Sequence, residues 1–183
     1  NLNVSAEDDS FIGAYSGAAA LQKQGQQSSG ASLTLVGAIG YNDVEKETTA
    51  QIKNTTINNV SAITNKAVNG GATLAAGLAL GSQSSSSSGS SGISAAVSGS
   101  YNDSTNKIHA VLDNIKVNNS AGNGSAQTTL QNIAYDKDLQ VAGGLTLSKS
   151  SGNLGVGVAG SYLTANNDIK AAISGSTLQK MAN

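Results

Sequence analysis

The side chains in this sequence that could carry out chemistry are one histidine and three groups of acidic residues. His109 is the single histidine of the chain. A general base needs an orienting partner and a pocket, and the neighbours of His109 in sequence supply neither. Cysteine and arginine are absent, which excludes thiolate chemistry and the planar guanidinium fork that grips a phosphate or carboxylate with two bonds. We therefore expect His109 to be an exposed, solvated side chain.

The acidic groups could supply oxygen ligands to Ca²⁺, which takes six to eight of them. They are Glu7-Asp8-Asp9, Asp43-Glu45-Glu47, and Asp136 with Asp138. None of them matches the nonapeptide pattern of Ca²⁺-binding β-rolls, and solvated turns explain them more simply. We predict no catalytic residue, no metal and no cofactor, and hence no enzyme. A polysaccharide-active enzyme is the lesser alternative.

The composition indicates a thin core rather than a thick one. Charged residues make up 11% of the chain and aromatic residues 3%, whereas about a quarter of the residues of an ordinary globular protein are charged. The net charge is −1, so the chain has no basic surface for nucleic acid. No stretch approaches the roughly 20 apolar residues of a membrane-spanning helix, and we expect no membrane insertion. Because the chain opens at Asn1 rather than Met, we interpret it as a processed product or a segment of a longer protein.

The chain repeats itself along its length. Residues 33–59 align without a gap with residues 93–119 at a shift of 60, and residues 154–178 align with them at a shift of 61. Residues 67–80 and 134–147 also align with each other, at a shift of 67. This second alignment matches Leu74 with Val141, Ala76 with Gly143, Leu78 with Leu145 and Leu80 with Leu147.

Each repeat core begins with residues that alternate with period two, which is typical of a half-buried strand. The residues that share one face are Ile93, Ala95, Val97, Gly99 and Tyr101, with Leu33, Leu35, Gly37, Ile39 and Tyr41 and with Leu154, Val156, Val158, Gly160 and Tyr162 as counterparts. We expect this face to point inward. A polar turn should follow at Asn42-Asp43, Asn102-Asp103 and Asn166-Asn167, because Asn and Asp side chains bond to nearby backbone.

A second short strand and a corner complete each core. The expected inner residues of this strand are Thr48, Ala50 and Ile52, then Ile108, Ala110 and Leu112, then Ile169, Ala171 and Ile173. Two residues further on lie Asn54, Asn114 and Gly175, which are residue types that tolerate a left-handed backbone. Ile57, Val117 and Leu178 should then point inward again. In this alternation His109 points outward, and its counterparts are Thr49 and Lys170.

These patterns predict an all-β chain that forms a single β-solenoid segment over residues 1–183. Its three degenerate modules of about 60 residues would bury a continuous line of Val, Ile, Leu and Ala. If one coil takes about 20 residues, the chain contains about nine coils. The predicted variable loops are 22–32, 81–92 and 148–153, since loops absorb length changes at little cost. An antiparallel meander remains the alternative, because the loop 81–92 could close a hairpin.

Several recurring phrases resemble the repeats of known bacterial adhesins. They are VAGSY, then KAAI or HAVL before an Asn or Gly corner, and VSAEDDSFIGAYSGAAA. They resemble the leukotoxin-like and filamentous-haemagglutinin-like repeats of giant Gram-negative type V secreted adhesins, exported by the autotransporter or two-partner route. The resemblance implies a right-handed parallel β-helix at the cell surface, and it brings no catalytic residues.

The expected function is that of a rigid stalk and adhesion surface in a secreted or surface-displayed bacterial adhesin. The expected location is extracellular, at the bacterial cell surface. The expected partner is a protein or glycan on a host cell or a neighbouring cell, and specificity would lie in the variable loops. The alternative is an extracellular filament or matrix protein that self-associates through its solenoid ends, since such ends expose unpaired strand edges.

Overall fold

A computed structural model of the chain describes residues 1–24, 32–85, 92–119, 128–150 and 154–179. These residues form strands joined by short corners, and they contain no helix, as the sequence predicted. The strands are β1 (Leu2–Asp8), β2 (Phe11–Gln24), β3 (Ser32–Lys53), β4 (Thr56–Asn58), β5 (Ala62–Asn69), β6 (Ala72–Ser85), β7 (Gly92–Asp113), β8 (Lys116–Asn118), β9 (Thr129–Asp136), β10 (Leu139–Ser150), β11 (Leu154–Ser174) and β12 (Thr177–Leu178).

The described strands form four parallel sheets of three strands each. Sheet A has the order β1-β5-β9, sheet B β2-β6-β10, sheet C β3-β7-β11 and sheet D β4-β8-β12. The chain visits the sheets in the order A, B, C, D three times. We call the three passes unit 1 (β1–β4), unit 2 (β5–β8) and unit 3 (β9–β12). Every pairing among these strands is parallel, which excludes the antiparallel meander for the described part of the chain.

The register of the sheets follows the sequence repeats. Tyr41 pairs with Tyr101, and Tyr101 pairs with Tyr162, as the shifts of 60 and 61 predicted. Leu74 pairs with Val141, as the shift of 67 predicted. Each unit therefore contributes one strand to each sheet. The prediction of about nine short coils is wrong, because each repeat core contains one long strand where short strands and extra corners were expected.

The long strands β3 and β7 contain 22 residues each and run through the predicted turns without a break. Asn102 is fully buried and Asp103 points outward, so this position is extended strand rather than a turn. Asn42 lies in the same way, and its side-chain amide donates to the carbonyl of Leu74 in the facing sheet at 2.8 Å. The turn predictions at Asn42-Asp43, Asn102-Asp103 and Asn166-Asn167 are wrong because the strands continue through these positions, where Asn42 finds its partner across the sheets rather than in the local backbone.

The missing turn also reverses half of the predicted inner face. Ile108 and Leu112 are buried, as expected. In a continuous strand, residues an odd number apart point to opposite faces, so Ile93 must then point outward. The prediction is wrong for this half of β7, where Ser94, Ala96, Ser98 and Ser100 are the buried residues. The outward residues are Ile93, Ala95, Val97, Gly99 and Tyr101.

Sheet C is long enough to face two other sheets, and this divides the molecule into two regions. Its first half (32–42, 92–102 and 154–163) packs against sheet B, and we call these two facing layers the arm. Its second half (43–53, 103–113 and 164–174) packs against sheet A and adjoins sheet D, and we call this region the base.

The two regions have different interiors. The base encloses large aliphatic side chains, and its main cluster contains Ile52, Ile57, Ile63, Leu112, Ile115 and Val117. The arm encloses mainly small side chains such as Ala, Gly and Ser. A Cβ added to Gly40 would lie 2.5 Å from the carbonyl oxygen of Ala76, and one added to Gly77 would lie 2.3 Å from that of Gly99. The facing backbones of the arm are thus too close at these positions to hold anything larger.

The predicted corners are confirmed. Asn54, Asn114 and Gly175 have φ values of 50°, 51° and 56°, in the left-handed region. The Asn114 side-chain amide donates to Asn54 Oδ1 at 2.7 Å, which links the corners of two units. Beyond them, Ile57 and Val117 are buried and Leu178 is half-buried, as expected.

The predicted loops begin later than expected. Strands β2, β6 and β10 continue to Gln24, Ser85 and Ser150, and β3 and β7 begin at Ser32 and Gly92. The predicted loops 22–32, 81–92 and 148–153 are therefore strand at their described ends. Their remaining parts, 25–31, 86–91 and 151–153, lie outside the described residues.

Candidate interaction surface

The outer face of sheet C in the arm is apolar and free of charge. Residues 32–42, 92–102 and 154–163 contain no Asp, Glu, Lys, Arg or His. Leu35 is 67% exposed and Ile39 is 75% exposed. The other large outward side chains on this face are Leu33, Tyr41, Ile93, Val97, Leu154, Val156, Val158 and Tyr162.

The opposite face of the arm, formed by sheet B, has the same character. Residues 11–22, 72–83 and 139–148 contain no charged side chain. The face carries an open groove of about 630 Å³ that is lined by Tyr15, Gly17, Ala76, Leu78, Gly143 and Leu145 together with neighbouring residues. Both broad surfaces of the arm therefore present apolar side chains to solvent.

The thin interior explains why these side chains lie outside. Alternate residues of a strand point to opposite faces, so each position is assigned to one side of the arm. Most inner positions must be small because the facing backbones nearly touch, and most of the large Leu, Ile and Tyr residues of these strands occupy outer positions. Contiguous exposed apolar surfaces of this kind mark interaction sites in soluble proteins.

A ladder of tyrosines marks the boundary between arm and base on sheet C. The rings of Tyr41 and Tyr101 stack with centroids 5.2 Å apart, and those of Tyr101 and Tyr162 stack at 5.3 Å. The Tyr101 hydroxyl donates to Asp103 Oδ2 at 3.2 Å. Desolvation, followed by this hydrogen bond and the nearby carboxylate charge, raises the pKa of Tyr101. The ladder presents ring edges as one ridge across the three units.

His109 lies on the outer face of β7, as predicted, between Thr49 and Lys170 in the neighbouring units. Its Nε2 atom is 3.0 Å from Asp168 Oδ2. A carboxylate partner is thus present, although the sequence neighbours of His109 did not show it, because parallel stacking brings together residues that are 59 positions apart. The pair lies on an outward-facing strand surface, where the Asp168 side chain is 64% exposed.

Two of the predicted acidic groups meet at the junction of arm and base, around a lysine that the sequence did not single out. Lys46 Nζ lies 3.3 Å from Asp138 Oδ1 and 4.0 Å from Asp8 Oδ2. The Lys46 and Asp138 side chains are almost completely buried. The sequence contained one sign that Lys46 is buried, namely the alternation that places its neighbours Val44 and Thr48 inward. The turn predicted at Asn42-Asp43 hid this sign, because it interrupted the alternation.

Hydrogen bonds complete this junction. Asp136 accepts from the Asn69 amide at 3.1 Å and from the Asn106 amide at 3.0 Å. Burial acts to raise the pKa of Asp8, but hydrogen bonds from Ser10 and the charge of Lys46 outweigh it, and the pKa lies below 3.8. The junction is a structural ion cluster that joins unit 1 to unit 3.

Other acidic residues form outward ion pairs. Lys107 Nζ contacts Glu45 Oε1 at 2.6 Å, and this bond lowers the pKa of Glu45 and raises that of Lys107. Lys137 contacts Glu7 at 3.5 Å and Asp9 at 3.9 Å. Within the described residues, no three His, Asp or Glu side chains converge in a way that could hold a metal ion. That part of the chain also contains no helix that is long and apolar enough to cross a membrane.

Comparisons with known proteins add no relative. No family model matches the chain, and no curated protein or solved structure matches it significantly.

Proposed function

We propose that this chain is a segment of a secreted or surface-displayed bacterial adhesin, in which it serves as a rigid β-solenoid stalk and as an adhesion surface. The observation that carries the proposal is the in-register parallel stacking of three units, each with one strand in every sheet. The resemblance of the repeats to type V secreted adhesins supplies the biological setting. That setting is the outer surface of a Gram-negative cell.

The proposed fold is a closed, right-handed parallel β-helix with one coil for each of the three units. Right-handed crossovers between parallel strands of one sheet outnumber left-handed ones by about fifty to one, which favours this hand. Each coil would bury its inner residues against the next coil, as in other solenoids. Continuous ladders such as Tyr41-Tyr101-Tyr162 support a rigid stalk, since their stacked rings connect each unit to the next.

The proposed adhesion surface is the outer face of sheet C in the arm. Its side chains are apolar, exposed and free of charge, and the tyrosine ridge adds ring edges with hydroxyl groups. Tyrosine combines a large apolar body with a polar tip, which makes it a frequent contact residue in interfaces. The proposed partner is a protein or glycan on another cell.

An attachment assay tests this function. Beads coated with the purified chain are expected to attach to host or neighbouring cells, and Ile39→Lys with Leu35→Lys should reduce attachment several-fold because charge enters the apolar face. Gln131→Lys, on an exposed position of sheet A, is the matched control and should leave attachment unchanged. Equal attachment of coated and uncoated beads would refute the adhesive role, while circular dichroism confirms that the variants stay folded.

A second candidate function is self-assembly into an extracellular filament or matrix through the solenoid ends. The observation that favours it is the exposure of inward residues in β11. Ile169, Ile173 and Leu163 correspond to buried positions of β7, yet they are 46%, 48% and 44% exposed. A further unit stacked on this edge would cover them.

Light scattering and electron microscopy at rising protein concentration test the filament. Assembly through this edge predicts linear particles that grow with concentration, and Ile173→Asp should abolish them by placing a charge in the stacking surface. The outward neighbour Ala172→Asp is the control and should still permit growth. Particles of constant size at all concentrations would rule out assembly through this edge. No catalytic residue is part of either proposal.

A further inference from the structure

The outer face of sheet B has a pattern of side-chain size that reverses from unit 1 to unit 3. Gly17 in unit 1 pairs through Leu78 with Leu145 in unit 3. Tyr15 in unit 1 pairs through Ala76 with Gly143 in unit 3. Where one edge of the face has a large residue, the other edge has a small one.

The same reversal holds along most of the face. Gly13 corresponds to Val141 in unit 3, and Ala19 corresponds to Leu147. A Cβ added to Gly17 or Gly143 would meet no atom within 4 Å, so both positions are open hollows. The two ends of the face are the exceptions, since Phe11 corresponds to Leu139 and Leu21 to Lys149, and all four are large.

A second copy of the chain can be related to the first by a two-fold axis that is parallel to the strands and passes over unit 2. With this axis, the pattern makes the sheet B faces of the two copies complementary. Such an axis places unit 1 of one copy over unit 3 of another and keeps each position along the strand. Leu145 of one copy then faces Gly17 of the other, and Tyr15 faces the hollow at Gly143. Each contact occurs twice, as in every isologous two-fold interface.

We infer that the sheet B face of the arm is a homodimer interface, in which a second copy of this chain packs face to face with the two-fold axis parallel to the strands. Leu145 and Tyr15 are the protruding residues, and the groove over Gly17, Ala76 and Gly143 receives them. The footprint contains one charged side chain, Lys149, which is in register with Leu21 and so faces Leu21 of the other copy, and the pairing of two identical surfaces brings no like charges into direct opposition.

The size of the face agrees with a weak to moderate dimer. The stretch from Phe11 to Leu21 is about 36 Å long, and three strands are about 14 Å wide, which gives a footprint of about 500 Å² on each copy. The two copies together bury about 1,000 Å², at the lower limit for a specific interface. We therefore expect a dissociation constant on the order of micromolar or weaker.

The sheet C face has this complementarity only in part: Gly37 corresponds to Val158 and Ile39 to Gly160, but the tyrosine ridge is large in all three units. On either face the axis sets residues of unit 2 against their own counterparts, Leu78 in sheet B and Tyr101 in sheet C. In sheet C it also sets Tyr41 of one copy against Tyr162 of the other, so that two ridges of rings collide, whereas in sheet B Tyr15 faces Gly143. A dimer through sheet B thus leaves the sheet C faces free. The inference is independent of the adhesive function proposed above, since either can hold without the other.

Sedimentation equilibrium of the whole chain tests the dimer. Wild-type protein should show a reversible monomer–dimer equilibrium. Gly17→Leu should weaken it about tenfold to a hundredfold, because the new side chain collides twice with Leu145 of the other copy. The hollow at Gly17 is open in the single molecule, so this variant should fold normally, which circular dichroism verifies. Adding Leu145→Ala should restore most of the affinity.

Gly160→Leu is the matched control, because Gly160 is an equally open outward position on sheet C. It should leave the dimer unchanged. Wild-type protein that stays monomeric into the millimolar range overturns the inference, as does a dimer that resists Gly17→Leu or is lost in Gly160→Leu. A monomer that instead sediments with phosphatidylcholine vesicles also overturns it and assigns the face to lipid.

Discussion

The arm and the base bury different residues although the same strands run through both. In the base, Leu112 and Ile108 lie inside and the charged residues Lys107 and Asp113 lie outside, as in most soluble proteins. In the arm, Ser98 and Ala96 lie inside and Val97 lies outside, 54% exposed. A strand that does not turn keeps the same alternate positions inside along its whole length. The large residues do not follow this rule, because they occupy inward positions in the base and outward positions in the arm, and the change occurs near Asp103.

Size limits the arm interior more strictly than bonding does, although Ser148 donates to the Ser94 carbonyl at 2.7 Å. The hydroxyl groups of Ser16, Ser98 and Ser100 are buried without a hydrogen-bond partner in the protein, so bonding cannot account for the presence of these three serines. A small residue is required because the two backbones are close. Serine is tolerated because it is only slightly larger than alanine. A layer this thin buries little apolar surface of its own, and it leaves its large side chains available for contact with other molecules.

The largest expected difference between the regions concerns leucines. Leu112→Ala in the base removes a fully buried side chain and should lower the free energy of unfolding by about 2–5 kcal/mol. Leu35→Ala in the arm removes an outward side chain and should change it by no more than about 0.5 kcal/mol. Guanidinium unfolding of both variants measures this. Equal losses would mean that the arm face is covered in solution and that the contrast is not a property of the single molecule.

The second difference concerns glycines. Gly77→Ala should lower the free energy of unfolding by about 1–3 kcal/mol, because its Cβ would lie 2.3 Å from the backbone oxygen of Gly99 and the two sheets would have to separate. Gly37→Ala, on an open outward position of the same region, is the control and should be neutral or slightly stabilising. Thermal unfolding of the two variants in parallel gives the comparison. A neutral Gly77→Ala would show that the arm layers can move apart.

The sequence predicted the register of the strands better than their faces. Alignment of the sequence with itself identified the pairs of Tyr41 with Tyr101 and of Leu74 with Val141, because stacked residues occupy equivalent environments. The corner at Asn114 was also predictable, since few residue types adopt a left-handed backbone.

The faces of the arm were not predictable from hydrophobicity, since its outer residues are the apolar ones. The small residues Ala and Ser at every second position from Ser94 to Ser100 were the available sign of a thin interior. The polarity of serine, however, favours the opposite interpretation, an outer face. Lys46 was missed because a buried lysine requires partners from another unit, and its partner Asp138 is 92 positions away. The hollow at Gly143 likewise depends on which residues stack beside it.

The third prediction concerns the corners, which among the described residues lie in the base. Asn114→Ala should lower the free energy of unfolding by about 1–2 kcal/mol, because Ala is disfavoured at a φ of 51° and the bond from the Asn114 amide to Asn54 is lost. Asn114→Gly retains the backbone freedom and should lose only the side-chain bond. Chemical denaturation distinguishes them. Equal effects of the two variants would assign the whole contribution to the side chain rather than to the backbone.

The smallest expected effect concerns the junction between the two regions. The pKa of Asp8 is lowered in the folded protein, so its charged form stabilises the fold at any pH above its ordinary value of 3.8. This contribution should disappear as the pH falls below about 4 and through the lower folded pKa, because the folded and unfolded states then bind the same number of protons.

Asp8→Asn removes this titration and tests where the acid sensitivity lies. Its unfolding free energy should fall less steeply than that of the wild type as the pH falls below about 4. The expected difference is less than about 1 kcal/mol, since Asp8 is partly exposed and solvent screens its pairing with Lys46. Gln51→Asn, a neutral outward substitution on β3, is the control and should leave the slope unchanged. If the unfolding free energy of both variants depends on pH as it does in the wild type, the acid sensitivity arises elsewhere. The junction then joins arm to base through Asp138 and its hydrogen-bonded neighbours alone.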